Sequence, residues 1–294
     1  MPEPGSARGR PALISVILPI RNGEAHLEDQ VASLAAQTYS GPWELVAVDN
    51  GCTDRSMEIV ERWRGRLARL VVVDARGRRG LNHARNAGAA AARGDLLAFC
   101  DADDVTAPNW LEGLAAAAAE ADIVGGAMER QELNSPLGRA WQSADLVASL
   151  QSCYAFLPHP PGGNCAIWAD VAREVRWDEA FAFGSSDIDF TWRAQLAGYR
   201  VAFAPQALIR RRFRTSLRAL IKQWFRYGLS EPHLFRRHRR HGMRRDGKGI
   251  QNWRWLATSA PLLLTAPGRG RWCRIAAWCC GRACGSLRWR VLYP

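Results

Sequence analysis

The sequence predicts an α/β fold, a mostly parallel sheet flanked by helices with a basic helical appendage at its end. Three observations predict it. Over the first hundred residues, short apolar, β-branched runs alternate with segments whose apolar residues recur at helical spacing, the repeat that gives parallel strands joined by right-handed crossovers. The run Leu96-Leu97-Ala98-Phe99-Cys100 has no helical period and ends abruptly in acids, as a strand covered on both faces does. Charge is also divided: residues 206–294 carry 21 Lys and Arg against two acids, whereas residues 1–205 carry 19 against 26. An acidic globular part is thus joined to a strongly basic tail. With 294 residues, 48% of them hydrophobic, the chain can bury one substantial core.

In order, Leu13 to Pro19 reads as the first strand, and Glu24 to Gln37 as a helix carrying Leu27, Val31 and Leu34 on one face. Trp43 to Val48 is the second strand, ending in Asp49-Asn50-Gly51-Cys52-Thr53-Asp54. Thr53 or Asp54 can cap a helix bearing Ile59, Val60 and Trp63. Leu70 to Val73 is a third strand. Gly80 opens an Ala-rich helix that stops at Arg93-Gly94. Farther on, Asp122 to Met128 reads as a strand, Gly138 to Leu150 as a helix with Trp141, Leu146 and Leu150 apolar, and Val201 to Ala204 as the last strand.

The acids after Cys100 sit where open α/β sheets bind ligands, at the C-terminal edge of the strands. If the backbone stays extended, Asp101 and Asp103 project to one side and Asp104 to the other. Two converging carboxylates suit a hard divalent cation, Mg²⁺ or Mn²⁺, completed by substrate phosphates. The competing reading is a helix cap, with Asp104 or Thr106 capping a helix opened by Pro108. Asp49 ends its strand at the same edge, either to accept hydrogen bonds from a ligand or to order an Asn-Gly turn. Arg85 and Asn86 fall in the first turn of the Ala-rich helix, where free N–H groups favour anions; simple solvation is the alternative.

Eight cysteines are scattered or clustered without paired CxxC spacing, which predicts reduced thiols in a cytosolic protein and neither a disulfide framework nor a zinc site. Ala12 to Ile20 leads into Arg21-Asn22-Gly23 without a small-residue cleavage site, so it is read as strand and not as an export signal. No stretch is long and apolar enough to span a bilayer.

Four motifs in a fixed order resemble glycosyltransferase family 2: Ser15-Val16-Ile17-Leu18-Pro19-Ile20-Arg21-Asn22, Val48-Asp49-Asn50-Gly51-Cys52-Thr53-Asp54, Ala84-Arg85-Asn86-Ala87-Gly88 and Asp101-Ala102-Asp103-Asp104. The resemblance implies a GT-A-type, Rossmann-like catalytic domain over residues 13–214, with a nucleotide-binding half (13–107) and an acceptor half (108–214), after a disordered N-terminus at 1–12. It implies a nucleotide-diphosphate sugar held by Pro19, Asn22, Asp49, Arg85, Asn86, Asp101 and Ala102. Asp49 would meet the base, Asp101 the ribose, and Asp103 would hold the divalent metal on the diphosphate. Gly163 and Asn164, in Pro158-His159-Pro160-Pro161-Gly162-Gly163-Asn164, would lie beside the diphosphate and sugar. His159 is either catalytic or structural.

In Ser185-Ser186-Asp187-Ile188-Asp189, the resemblance makes Asp187 the base that deprotonates a hydroxyl acceptor, whether glycan, lipid-linked or small molecule. A helix cap is its other reading. Ser186 stands where the family usually has Glu, a departure that leaves an inactive scaffold as an alternative. The family's usual His after the last strand is absent, and Arg210, Arg211 and Arg212 stand there. One of them, with Arg210 and Arg212 as candidates, is expected to bind the diphosphate through its guanidinium fork.

The tail, residues 215–294, begins with Leu217, Leu220, Ile221, Trp224 and Phe225 at helical spacing beside a basic stripe. It is either a helix docked on the catalytic domain or a membrane-inserting one. Trp253, Trp255, Trp272, Trp278 and Trp289 alternate with arginines, as in an interfacial anchor. This predicts a protein peripheral to the inner face of the cytoplasmic membrane, bound to anionic lipid. A nucleic-acid binder is the alternative for such a tail; the acidic N-terminal part and the lack of a binding module argue against any specific nucleic acid.

Overall fold

The computed structural model describes residues 8–67, 69–142, 146–182, 184–291 and 293. The predicted alternation is present in the first third as β1 (Ile14–Ile20), α1 (Leu27–Ala35), β2 (Trp43–Asp49), α2 (Ser56–Arg62), β3 (Leu70–Asp74), α3 (Leu81–Ala91) and β4 (Leu96–Cys100). Then come β5 (Val105–Thr106), α4 (Trp110–Ala118), β6 (Ile123–Glu129), α5 (Pro136–Trp141), β7 (Gln151–Ser152), β8 (Pro158–His159), β9 (Asn164–Trp168), α6 (Ala169–Val175), α7 (Ser186–Leu196) and β10 (Val201–Arg210). The tail folds as α8 (Leu217–His238), α9 (Lys248–Thr258) and α10 (Ala266–Arg288), with 3-10 turns at Arg239–His241 and Ala260–Leu264.

Eight strands form one sheet in the order β3-β2-β1-β4-β9-β6-β10-β5. β1 pairs in parallel with both β2 and β4, so the chain reverses its direction of winding at β1 and leaves a crevice beyond the strand ends there. β9 is an antiparallel strand inserted between β4 and β6, an element that the sequence reading did not contain. All five residues of β4 are buried, which explains why the run is uniformly apolar.

Asn164, at the start of β9, is fully buried and hydrogen-bonded on three sides. Its Oδ1 accepts from Trp110 Nε1 at 2.8 Å, and its Nδ2 donates to the carbonyls of Ala127 and Ala207 at 2.6 and 2.9 Å. It therefore locks α4, β6 and β10 around β9, with all three of these side-chain bonds buried.

Several expectations are corrected. Residues 1–7 lie outside the described residues, but 8–12 are fixed: Arg8 makes ion pairs with Asp122 and Asp170 at 2.7 and 2.8 Å, and Ala12 donates its amide to Asp95. The helix expected over 138–150 runs from Pro136 to Trp141, started by Ser135, whose hydroxyl accepts from the Gly138 amide. Residues 143–145 lie outside the described residues, and Val147 pairs with Met128 in a strand-like bridge, which ends any continuation of the helix. The backbone turns directly after Cys100, so the acids do not alternate on an extended strand, and α4 starts without a side-chain cap from Asp104 or Thr106. Asp54, and not Thr53, takes the Ser56 amide.

The tail is no free appendage. α8 and α10 pack along one another, and Leu234, Phe235, Val291 and Tyr293 share an apolar cluster with Phe181 and Trp192 of the preceding domain. Replacing Asn164→Ala should strand the Trp110 indole N–H and two buried carbonyls. Each unpaired group costs about 1–3 kcal/mol, so with three of them the expected loss of unfolding free energy, read from the urea midpoint, is roughly 3 kcal/mol or more.

Candidate functional site

A cavity of about 430 Å³ opens at the C-terminal edge of the parallel strands, between the sheet and the tail. Asp101 and Asp187 line it together, although 86 positions separate them in sequence. Between them lies Gly162, whose backbone binds both sides of the site: its carbonyl accepts from Arg85 Nη2 at 2.9 Å, and its amide donates to Asp187 Oδ2 at 3.0 Å. Asp187 sits in the first turn of α7, behind Ser185, which occupies the cap position in a left-handed conformation with φ of 57°.

Arg85 is buried and stacked over Trp177 at 4.4 Å, with Asp101 Oδ1 3.8 Å from its Nη2. It lies in the second turn of α3, not the first, so the helix terminus contributes less than its own charge does. The neighbouring Gly163 approaches Asp101 so closely that a Cβ there would meet Oδ2 at 2.5 Å. Any side chain at that position would push the carboxylate aside.

Among the three consecutive arginines, the structure brings Arg211 to the cavity. Burial opposes its charge, but Tyr227, Asp104, Asp101 and Asp103 more than offset that and hold the guanidinium above its ordinary range. Arg210 is paired with Glu132 at 2.6 Å. Arg212 bonds Asp29 at 3.0 Å and the Asp103 carbonyl at 3.1 Å. These pairs tie the two to the strand ends, and neither lines the cavity. Sequence alone gave no signal to separate Arg211 from its neighbours.

Asp104 is nearly inaccessible; it accepts the Arg212 amide at 2.9 Å, while its second oxygen has no hydrogen-bond partner. Burial pushes its carboxyl up to about 8, with Arg211 pulling the other way and Asp101 and Asp103 adding to the rise. Its burial and its bond to the Arg212 amide keep it from the cavity.

Asp103 is partly exposed and paired with Arg214 at 2.9 Å. It lies outside the cavity lined by Asp101 and Asp187. No group of three or more metal-ligating side chains occurs among the described residues. Hard carboxylate oxygens at Asp101 and Asp103 nevertheless fit a Mg²⁺- or Mn²⁺-type ion that takes its remaining ligands from phosphate and water, and Arg214, half exposed, is the group that would have to yield.

Asp49 emerges from β2, two strands from β4, so its backbone is about 10 Å from that of Asp101. Its Oδ1 accepts from the amides of Gly51 and Cys52 at 3.0 and 2.8 Å, and its Oδ2 is 3.8 Å from Arg76. The turn-ordering reading thus holds for one oxygen, and the other is turned towards a cation. Asn22, with φ of 51°, is tied to Thr53 through both its amide atoms. Pro19 lies in β1 beside Val48, and Ala102 packs against the core near Gly23.

Asn86 binds the Trp177 backbone at both ends of its amide, 2.8 and 3.0 Å, and so braces a loop instead of facing the cavity. His159 is buried between Cys153 and the Pro160 carbonyl, a structural histidine at the cavity's edge. Sequence reasoning missed the tail's contribution: Trp224, Tyr227, Glu231 and Trp278 complete the cavity wall.

The profile described as "Glycosyl transferase family 2" matches residues 15–175, and "Glycosyl transferase family group 2" matches 96–280. Among relatives, "Glycosyltransferase AglE" of Haloferax volcanii is 28% identical over 196 residues, covering 65% of this chain and 64% of that one. "Uncharacterized glycosyltransferase EpsJ" of Bacillus subtilis is 40% identical over 116 residues, 38% of this chain and 33% of that one. The chain thus spans between a third and two thirds of the length of these relatives. Of solved structures, the mannosyltransferase PcManGT from Pyrobaculum calidifontis, in complex with GDP-Man and Mn²⁺, superimposes with a TM-score of 0.63 at 21% identity over 94% of this chain and 87% of that one. S. aureus TarS 1-349 in complex with UDP gives 0.54 at 18% identity over 96% and 93%. With the family profile covering more than half its residues and this sheet order beneath it, the chain belongs to glycosyltransferase family 2 and has the GT-A fold.

Proposed function

We propose that the protein transfers a sugar from a nucleotide-diphosphate donor to a hydroxyl acceptor with inversion at the anomeric carbon. The observation that carries this reading is a cavity lined together by Asp187, Asp101, Arg85 and Arg211. It pairs a proton acceptor with a cationic, hydrogen-bonding cradle for a leaving diphosphate. Support also comes from fold relatives solved with GDP-Man and with UDP-GlcNAc.

The nucleoside would lie across Asp49 and Asp101. Arg85 and Arg211 would receive the diphosphate, their forked guanidinium groups matching phosphate oxygens. Asp103, with Asp101 beside it, would hold a divalent cation, which when bound supplies positive charge to the leaving group. Asp187 accepts the acceptor's proton as the hydroxyl oxygen attacks the anomeric carbon from the face opposite the diphosphate, so that one displacement inverts the centre. The Gly162 amide fixes one Asp187 oxygen and leaves the other for that proton.

The tail supports a position at an anionic membrane surface. Along α9, Ile250 and Trp253 are 65% and 49% exposed on one stripe, with Lys248 and Arg254 beside them, and Leu264 follows in the adjoining turn at 85% exposure. No helix among the described residues is long and apolar enough to cross a membrane. An apolar stripe rimmed by basic residues suits shallow burial among lipid headgroups.

Three outcomes are expected. Asp187→Asn should lower sugar transfer by about a thousandfold, within the range for loss of a general base, while calorimetric affinity for UDP or GDP stays unchanged; retained turnover would overturn its role. Arg211→Ala should weaken nucleotide-diphosphate binding by about tenfold to a hundredfold, the range of a charged hydrogen bond, whereas Arg210→Ala should shift it less than about twofold. In sedimentation with phosphatidylglycerol-containing vesicles, the double change Ile250→Ser and Trp253→Ser should release the protein to the supernatant, and unchanged pelleting would refute the membrane assignment.

A further inference from the structure

The tail brings a third acid into the cavity, beside Asp101 and Asp187. α8 is fastened to the start of α7 by the hydroxyls of Ser185 and Ser230, 2.8 Å apart. Gly184, with φ of 145°, lets α8 approach: a Cβ there would meet Tyr227 Cδ1 at 2.9 Å and Ser230 Oγ at 3.1 Å. The next residue, Glu231, is 7% exposed and lines the same cavity as Asp187.

Glu231 is only partly matched. Its Oε1 accepts from Trp278 Nε1 at 2.7 Å, and the Tyr154 hydroxyl is a further donor towards the carboxylate. Its Oε2 accepts no hydrogen bond; Arg282 Nε is 3.4 Å away. Arg282, however, is already engaged by Asp246 through two hydrogen bonds of 2.8 and 3.1 Å. Two carboxylates thus share one guanidinium in a buried setting, and burial pushes the Glu231 carboxyl up to about 7 despite Arg282. Such a surplus acceptor is costly to leave without a donor.

The wall around it is aromatic, with Trp224, Tyr227 and Trp278 facing the same space. Aromatic faces carry partial negative charge and attract the weakly positive C–H face of a pyranose ring. Ring hydroxyls, directed outward from that face, are donors for a carboxylate. A simple alkyl alcohol would use the aromatic wall but not the acid.

We propose that Glu231, Trp224, Tyr227 and Trp278 form the acceptor subsite, and that the acceptor is a glycoside whose sugar ring Glu231 orients, through hydrogen bonds from neighbouring hydroxyls, towards Asp187. This rests on the sugar-transfer reading above. Glu231 is a positioning residue and takes no proton from the reacting hydroxyl.

The test uses the full chain and four probes, the methyl glycosides of glucose, galactose, mannose and N-acetylglucosamine, in saturation-transfer NMR after titration with UDP and GDP. At least one glycoside should bind the wild type, Glu231→Gln should bind it at least tenfold more weakly, and Glu231→Asp should recover part of the loss. Nucleotide affinity should be unchanged in both variants and the thermal midpoint unchanged in Glu231→Gln, which keeps an acceptor for Trp278, whereas a merely structural role would lower the midpoint along with glycoside binding. Nucleotide binding with no glycoside bound, or a Glu231→Gln variant that binds the glycoside as the wild type does, overturns the subsite and leaves the transfer reading standing. A wild type that binds neither UDP nor GDP overturns both.

Discussion

Two hydrogen bonds to the backbone of Gly162 hold the site together. One comes from Arg85, on the helix that precedes β4, and the other goes to Asp187, on the helix that precedes β10. A single peptide segment between β8 and β9 therefore sets the spacing between the cationic side of the cavity and its carboxylate. That segment can be so placed because β9 runs antiparallel between β4 and β6, with Asn164 anchoring its first residue in the sheet. The rigidity required for a proton acceptor within reach of its substrate is thus built from backbone groups, which cannot rotate away.

The electrostatics follow from that arrangement. Asp101, Asp103 and Asp104 are consecutive or nearly so, yet their surroundings assign them different states. Asp101 keeps an open face towards Arg85, Asp103 is partly exposed to Arg214, and Asp104 is buried with a carboxyl pushed up to about 8. Arg211 stands among all three. Burial disfavours the charged form of Asp104, so the three acids do not act on Arg211 alike.

The sheet and the positions of its acids were legible in the sequence because both depend on local pattern: apolar runs of strand length, and acids that fall where those runs stop. Direction of side chains within irregular segments was not. β10 shifts register between Ala204 and Leu208, which resets the two-residue phase of the strand, and Arg211 ends up facing the cavity between two arginines that do not. The inward turn of Asn164 depends on β9, whose antiparallel insertion has no sequence period to announce it. Glu231 was invisible for another reason: it arrives from a helix 44 positions beyond Asp187, and only packing brings the two together. The basic composition of the tail drew attention to its arginines and away from its one buried acid.

Because Leu234 and Phe235 of α8, with Val291 and Tyr293 beyond α10, share an apolar cluster with Phe181 and Trp192, the boundary near residue 214 divides charge but not structure. Grafting this tail onto another catalytic part, or exchanging it for that of a relative, would cut through a common interior and remove one wall of the cavity. Evolution working on this chain faces the same constraint: drift in the last eighty residues alters the shape of the reaction chamber along with whatever surface those residues present outside.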